Sequence, residues 1–183
     1  MDAEEKNTLL GISRNTLETY LRSGTLAEVS NSGLTGSLRQ PAGAFVSLYM
    51  GGKLRGCIGN FTPDKPLYMV VQEMTLAAAL NDGRFAPVEA SELKYISIEV
   101  SVLTPLQKIG SIDEFQLGKH GIYMSKGGKS GTFLPQVAQS TGWSAEEFLG
   151  HCARDKAGIG YEDWKEADLF VYEAIVFGEE EVK

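Results

Sequence analysis

The sequence predicts an α+β fold built on a largely antiparallel sheet with flanking helices, and three observations carry that expectation. The glycine pairs Gly51-Gly52 and Gly127-Gly128 each stand between two short strand-like runs, where tight hairpin turns need residues free to adopt positive φ. Residues 95–103 and 169–177 alternate with the period of two that marks a half-buried strand. Helical and strand patterns succeed one another without the regular β-α-β-α rhythm of a parallel sheet.

The elements follow in order. Leu9, Leu10, Leu17 and Leu21 give a ragged helical stripe over residues 4–22. Residues 30–44, rich in Ser and Gly, are the most linker-like stretch, although both flanks are structured. Residues 44–50 and 53–59 read as the two strands of the first hairpin. A helix is expected over 66–80: Pro66 suits a first helical position, Leu67, Val70, Val71, Met74 and Ala78 form the apolar stripe, and Gly83 follows the end. Glu89 to Leu93 makes one helical turn. In the strand that follows, Ile96, Ile98, Val100 and Val102 share one face, and Ser97, Glu99 and Ser101 the other. Residues 121–125 and 132–134 flank the second glycine turn. Ser144 and Glu147 form a capping box that opens a helix running to about Lys156 and ended by Gly158. Residues 169–177 form one last strand.

At 183 residues the chain is expected to be one domain, 1–183, large enough to bury roughly 70% of its unfolded surface without disulfides or metal. Two cysteines 95 positions apart make neither a disulfide scaffold nor a zinc-ligand pair, and with two separated histidines a histidine/cysteine metal site has weak support, although carboxylates could complete one, so no metal ligands are assigned. The longest apolar runs fall far short of a membrane span, and the acidic start has no signal-peptide core, so the expected location is cytoplasmic and no membrane is involved. The net charge of −7, from 17 basic and 24 acidic residues, argues against duplex nucleic acid as a partner. The acids gather in residues 161–183. Residues 29–63 and 115–145 contain none, and hold Arg39, Lys53, Arg55, Lys119, Lys126 and Lys129. If the two stretches meet in space they make a local cationic patch, which suits a small anion better than a nucleic-acid duplex.

The second strand of the first hairpin holds the most informative chemistry. Alternation puts Lys53, Arg55 and Cys57 on one face and Leu54, Gly56 and Ile58 on the apolar one, unless a bulge at Gly56 or Gly59 reverses the assignment. A free thiol with a pKa of about 8.5 is only a few per cent ionised at neutral pH. Making thiolate the majority takes about two units, roughly 2.7 kcal/mol. One guanidinium at about 4 Å supplies a term of that order at an effective dielectric of ~20. Arg55 and Lys53 are therefore expected to activate Cys57. Gly51, Gly52, Gly56 and Gly59 permit close approach of backbone to a ligand, yet match neither the dinucleotide fingerprint nor the phosphate loop. Glu99, mid-strand, is a candidate general base or orienter, and His120 a candidate proton carrier. Cys152, three and four positions after Leu149 and Phe148, reads as core.

These residues also resemble a known family. The runs Lys53-Leu-Arg-Gly-Cys-Ile-Gly59, Asp82-Gly-Arg-Phe-Ala-Pro-Val88, Ile98-Glu-Val-Ser-Val-Leu103, His120-Gly121 and Leu134-Pro-Gln-Val-Ala138, with Trp143, Cys152 and Trp164 in order, are similar to the AMMECR-domain family over roughly residues 6–178. The string around Cys57 is the most specific part. The run at Asp82 has one proline where the common form has two, which leaves Arg84 and Phe85 in place. The resemblance implies an antiparallel α+β fold with a smaller second lobe and the signature motif near a cleft. It carries no settled reaction and no known cofactor. It implies a pathway shared with Memo-like and radical-SAM proteins, and a nucleotide-binding or nucleobase-modifying role. By position it marks Arg55, Cys57, Arg84, Glu99 and His120.

Two readings of function follow. In the first, the protein is an enzyme with Cys57, Glu99 and His120 as catalytic residues, and with Lys53, Arg55, Gly56, Gly59 and Arg84 holding a small anionic or nucleotide-like substrate. In the second it is a non-catalytic scaffold that presents the glycine-rich motif to a partner.

Overall fold

A computed structural model of the chain describes residues 1–30, 32–61 and 64–179. Asn31 of the linker-like stretch and the terminal acids Glu180 and Glu181 lie outside the described residues. The architecture is α+β with two four-stranded antiparallel sheets, which fall into two compact units, Met1–Leu103 with Ile175–Lys183, and Thr104–Ala174.

The first unit opens with helix α1 (Ala3–Ser23). Asp2 and Glu5 close a capping box at its start, and Gly24 at φ 72° ends it. Strands β1 (Ala44–Met50) and β2 (Lys53–Asn60) form the expected hairpin, with Gly51 and Gly52 at φ 57° and 73° in the turn. Helix α2 (Leu67–Leu80) and strand β3 (Ile96–Leu103) follow. The last strand of this sheet, β8 (Ala174–Gly178), comes from the far end of the chain, and the order is β2-β1-β3-β8. Val46, Leu48, Ile96, Ile98 and Val100 pack with Leu9 and Leu17 of α1 and with Val70 and Val71 of α2 in one core. Burying a Leu- or Ile-sized side chain contributes about 1.5–3 kcal/mol, so this face dominates the stability of the unit. The linker-like stretch is packed rather than loose. Leu38 is wholly buried, and Thr35 and Ser37 both donate to the buried Glu5.

The second unit holds β4 (Gln107–Ile109), β5 (Gly121–Lys126), β6 (Lys129–Phe133), the short helix α3 (Val137–Thr141), α4 (Ala145–Cys152) and β7 (Asp168–Tyr172), with sheet order β4-β7-β5-β6. Ile122, Met124, Phe133, Phe148, Leu149 and Cys152 centre its separate core, which places Cys152 where its helical spacing put it. The capping box at Ser144 and Glu147 is present. The α-helix gives way at Ala153–Ala157 to a π turn closed by Gly158.

The stretch expected as one strand over 169–177 is two. The break falls at Glu173, whose carbonyl accepts from the Thr104 N–H and whose N–H donates to Thr104 Oγ1, both at 2.9 Å. These bonds take the backbone groups that an unbroken ladder would use, so β7 and β8 join different sheets.

Candidate functional site

Strand β1 runs between β2 and β3, and the paired registers set the site. Ser47 lies opposite Cys57 on one side and opposite Glu99 on the other. Side chains opposite one another in a sheet share a face, so Cys57, Ser47 and Glu99 stand in a row across three strands. Phe45 and Tyr49 flank Ser47 on the same face. Gly56 and Ile58 point the other way, toward the helices. A Cβ at Gly56 would lie 2.1 Å from the Ala78 carbonyl oxygen of α2, so only glycine lets the strand run this close.

A bulge reshapes the expected cationic face. Leu48 pairs with Gly56, but Tyr49 pairs with Leu54, which leaves Arg55 as the extra residue. Beyond the bulge the alternation is inverted. Leu54 joins the Tyr49 face, and Lys53, opposite Met50, leaves it. The bulge turns Arg55 aside to a bidentate pair with Glu92 (Nε to Oε1 2.8 Å, Nη2 to Oε2 3.0 Å) and to the carbonyls of Ala86 and Pro87. Activation of Cys57 by Lys53 and Arg55 is thereby corrected: neither cation is delivered to the thiol.

Arg84 is the cation that reaches it. Asp82, 6% exposed, accepts from Arg84 Nε at 2.9 Å, Arg84 Nη2 at 2.6 Å, the Arg84 N–H at 3.2 Å and the Cys57 N–H at 2.9 Å. Arg84 Nη2 also donates to the Cys57 carbonyl at 3.3 Å. The two side chains thus occupy the outward N–H and C=O of Cys57, as a neighbouring strand would. Hydrogen bonds from Arg84, against the cost of burial, hold the Asp82 carboxyl down at about 2. Sequence reasoning missed Asp82, Ser47 and Tyr49. The Asp-Gly-Arg spacing was visible, but not that its carboxylate closes on β2.

Burial pushes the Cys57 thiol up, with Asp82 and Glu99 adding to the effect. The Ser47 hydroxyl, which donates to Sγ at 3.2 Å, and the Arg84 charge oppose it. The thiol is therefore protonated at rest, the reverse of the expected activation. Tyr49 donates to Glu99 Oε1 at 3.4 Å, and burial, then Glu99, then Cys57, push its phenol up to about 12. Cys57, Tyr49 and Glu99 form one electrostatically coupled group. Arg84→Ala is expected to raise the Cys57 pKa further, and Arg55→Ala to leave it where it is. Peptide-mapped iodoacetamide rates against pH read both, and equal shifts in the two variants would contradict the assignment.

His120 belongs to the second unit. Its Nδ1 accepts from the Gln116 N–H at 3.1 Å, which leaves the proton of the neutral ring on Nε2, and its ring lies beside Phe115. The lysines of the acid-free stretch 115–145 are engaged within that unit. Lys126 pairs with Asp163 and Glu166, Lys119 with Glu173, and Lys129 donates to the Gly158 carbonyl. The local positive field expected there is neutralised by acids from residues 161–173. Among the described residues, no three His, Cys, Asp or Glu side chains group closely enough to hold a metal ion, and no helix is long and apolar enough to cross a membrane.

The family model described as AMMECR1 matches residues 10–177. The chain belongs to the AMMECR1 family. Protein MK0488 of Methanopyrus kandleri is 39% identical over 97% of this chain and 90% of its own length. A protein of Methanothermobacter thermautotrophicus is 37% identical over 98% and 97%. The crystal structure of Protein PH0010 from Pyrococcus horikoshii superposes with a TM-score of 0.91 at 32% identity, covering 99% of this chain and 94% of that one. The family match spans both units, so the Cys57 face and the His120 turn both lie inside the AMMECR1 region.

Proposed function

We propose that this AMMECR1 protein is an enzyme that uses the Cys57 thiol on a small anionic, nucleotide-like substrate. The supporting observation is the row of Cys57, Ser47 and Glu99 across three strands, with Arg84 beside the thiol. A protonated thiol needs a base at the moment of reaction. The proton passes to Glu99 by way of the Ser47 hydroxyl between them. The thiolate adds to an unsaturated electrophilic carbon of the substrate as the π pair moves onto the attached oxygen or nitrogen and takes up a proton, and the Arg84 guanidinium pairs with the anionic group. Arg84 is half exposed, and among the described residues its Nη1 makes no hydrogen bond, which leaves two donors for an anion. The family resemblance adds a pathway shared with Memo-like and radical-SAM proteins. The proposal is carried by first-unit residues, and His120 keeps its proton-carrier role as a separate expectation.

The scaffold reading has its own support. Both arginines expected at the site are paired with carboxylates, and burial raises the thiol.

Labelling with bromopyruvate, an anionic electrophile, separates the two readings when set against neutral iodoacetamide. For the enzyme, bromopyruvate labels Cys57 with saturation, at least tenfold faster relative to iodoacetamide than free cysteine shows, and Arg84→Ala abolishes the preference. Cys152, wholly buried and pushed up to about 12 by that burial, stays unlabelled. If Cys57 also resists both reagents until the protein unfolds, the scaffold reading replaces the enzyme.

A further inference from the structure

A single carboxylate joins Arg84 to Cys57. Asp82 Oδ2 accepts from the Cys57 N–H at 2.9 Å, while Oδ1 and Oδ2 take the Nε and Nη2 edge of the Arg84 guanidinium at 2.9 and 2.6 Å. Arg84 Nη2 closes the circuit by donating to the Cys57 carbonyl at 3.3 Å. The clamp is built on the turn that follows α2. There the Asp82 carbonyl accepts from the Phe85 N–H at 3.0 Å, the Arg84 N–H returns to Oδ1 at 3.2 Å, and the Phe85 ring centre lies 5.4 Å from Arg84 Cζ. Asp82 itself is buried, so its side chain has little room to follow a moving guanidinium.

An unrestrained arginine has many rotamers and can meet an anion anywhere within its reach. Paired N–H bonds to one carboxylate fix both the position and the plane of the guanidinium. Arg84 is thereby held beside the residue that carries the thiol, and its charge is presented at one distance from the sulfur. We propose that Asp82 is a positioning residue that sets this distance, and that the substrate is a small acid whose anionic group lies next to the carbon attacked, as in an oxo acid or its imino counterpart. The inference rests on the enzyme reading and deepens it. In a nucleotide the ribose separates the phosphate from the base, so the adjacent spacing selects the small acid. The spacing matters because a misplacement of about 1 Å between reacting groups can cost roughly a hundredfold in rate.

Two acid–ester pairs test the spacing on the full chain. Iodoacetate against methyl iodoacetate puts the carboxylate on the reacting carbon, and para-iodoacetamidobenzoate against its methyl ester holds it far away on a rigid ring. The charge preference of each pair is its acid-to-ester labelling ratio at Cys57 divided by the same ratio for free cysteine. The near pair is expected to show a preference about tenfold or more above the far pair. Asp82→Asn is expected to bring the two preferences within about threefold of each other. Loss of the Asp82 charge by itself strengthens the pull of Arg84 on every anion, so a purely electrostatic or structural role moves both preferences by one factor and leaves their ratio alone. Arg84→Lys keeps the cation without the planar edge. It is expected to level the ratio likewise, and it serves if Asp82→Asn does not fold. Equal preferences in the parent protein, or a ratio unmoved in the folded variants, overturn this inference; if the acids are still favoured over their esters, the enzyme reading stands. Cys57 inert to every reagent overturns the enzyme reading and this inference with it.

Discussion

Gly56→Ala is expected to destabilise the protein by about 3 kcal/mol or more, among the largest effects of any methyl-sized change in this chain. The added Cβ meets the Ala78 carbonyl oxygen at 2.1 Å and the Ala78 carbonyl carbon at 3.1 Å. Both are backbone atoms near the end of α2, so no side chain can rotate away to relieve the overlap. The strand must leave the helix or the last turn of the helix must shift. Either movement opens the core between Leu48, Ile98 and Ala78 and displaces Cys57, the next residue. Gly83→Ala is the control. Nothing lies within 4 Å of its Cβ and its φ is not positive, so the change is expected to fall within about 1 kcal/mol of neutral. Urea unfolding of the three proteins measures the difference, and a Gly56→Ala protein as stable as the control would mean that β2 does not approach α2 so closely.

Asp82→Asn is expected to remove both stability and a pH dependence. The folded carboxyl sits at about 2, against an ordinary value of 3.8. A carboxyl depressed on folding contributes stability that is complete above its unfolded pKa and is lost as pH falls through the folded one. The window for Asp82 is therefore about pH 4 down to pH 2. The shift corresponds to at most about 2.5 kcal/mol, and solvent screening of the half-exposed Arg84 brings the contribution to about 1–2 kcal/mol. The variant is expected to lose this amount at pH 7 and to approach the parent protein in stability near pH 2. A constant difference between the two proteins from pH 7 to pH 2 would show that Asp82 acts by packing rather than by charge. The same variant loosens the outward edge of β2, so Cys57 alkylation is expected to quicken as the Cys57 N–H loses its charged acceptor.

Much of the fold was legible because its signals are local. Paired glycines between strand-like runs announced both hairpins, the Ser144 and Glu147 pair announced the start of α4, and strict alternation placed Ile96, Ile98, Val100 and Val102 in the core. The division of the last strand at Glu173 was not legible. It depends on hydrogen bonds to Thr104, 69 residues away, and alternation continues across the break. The polar face of β3 was legible only as a pattern. Ser97 and Ser101 alternate with the apolar residues as solvent-facing residues do, yet both are buried.

For the candidate site the division is sharper. Cys57 and Glu99 stand out in the sequence, as a cysteine in a glycine-rich cationic strand and a carboxylate in the middle of an alternating one. Their common face follows from β1 pairing with both strands, which no window of either strand contains. The cationic character of the site failed for the same reason. Lys53 and Arg55 are close to Cys57 along the chain, and period-two alternation puts all three together. One inserted residue in the β1–β2 ladder inverts the outer half of the strand and hands Arg55 to Glu92, 37 positions away. Asp82, 25 positions from Cys57, then holds the strand's outer edge.

By itself the sequence determined the hairpins, the helix starts, the two amphipathic helices of the first unit and the residue types from which a site can be made. These depend on backbone freedom, capping and periodicity, which act within a few residues. The tertiary structure alone decided which charges are spent on one another, which thiol is desolvated and which side chains share a face with it. Those outcomes depend on burial and on distances between atoms brought together from separate strands. A charge in sequence is only a candidate for the site, because the ion pair that consumes it is made by the fold.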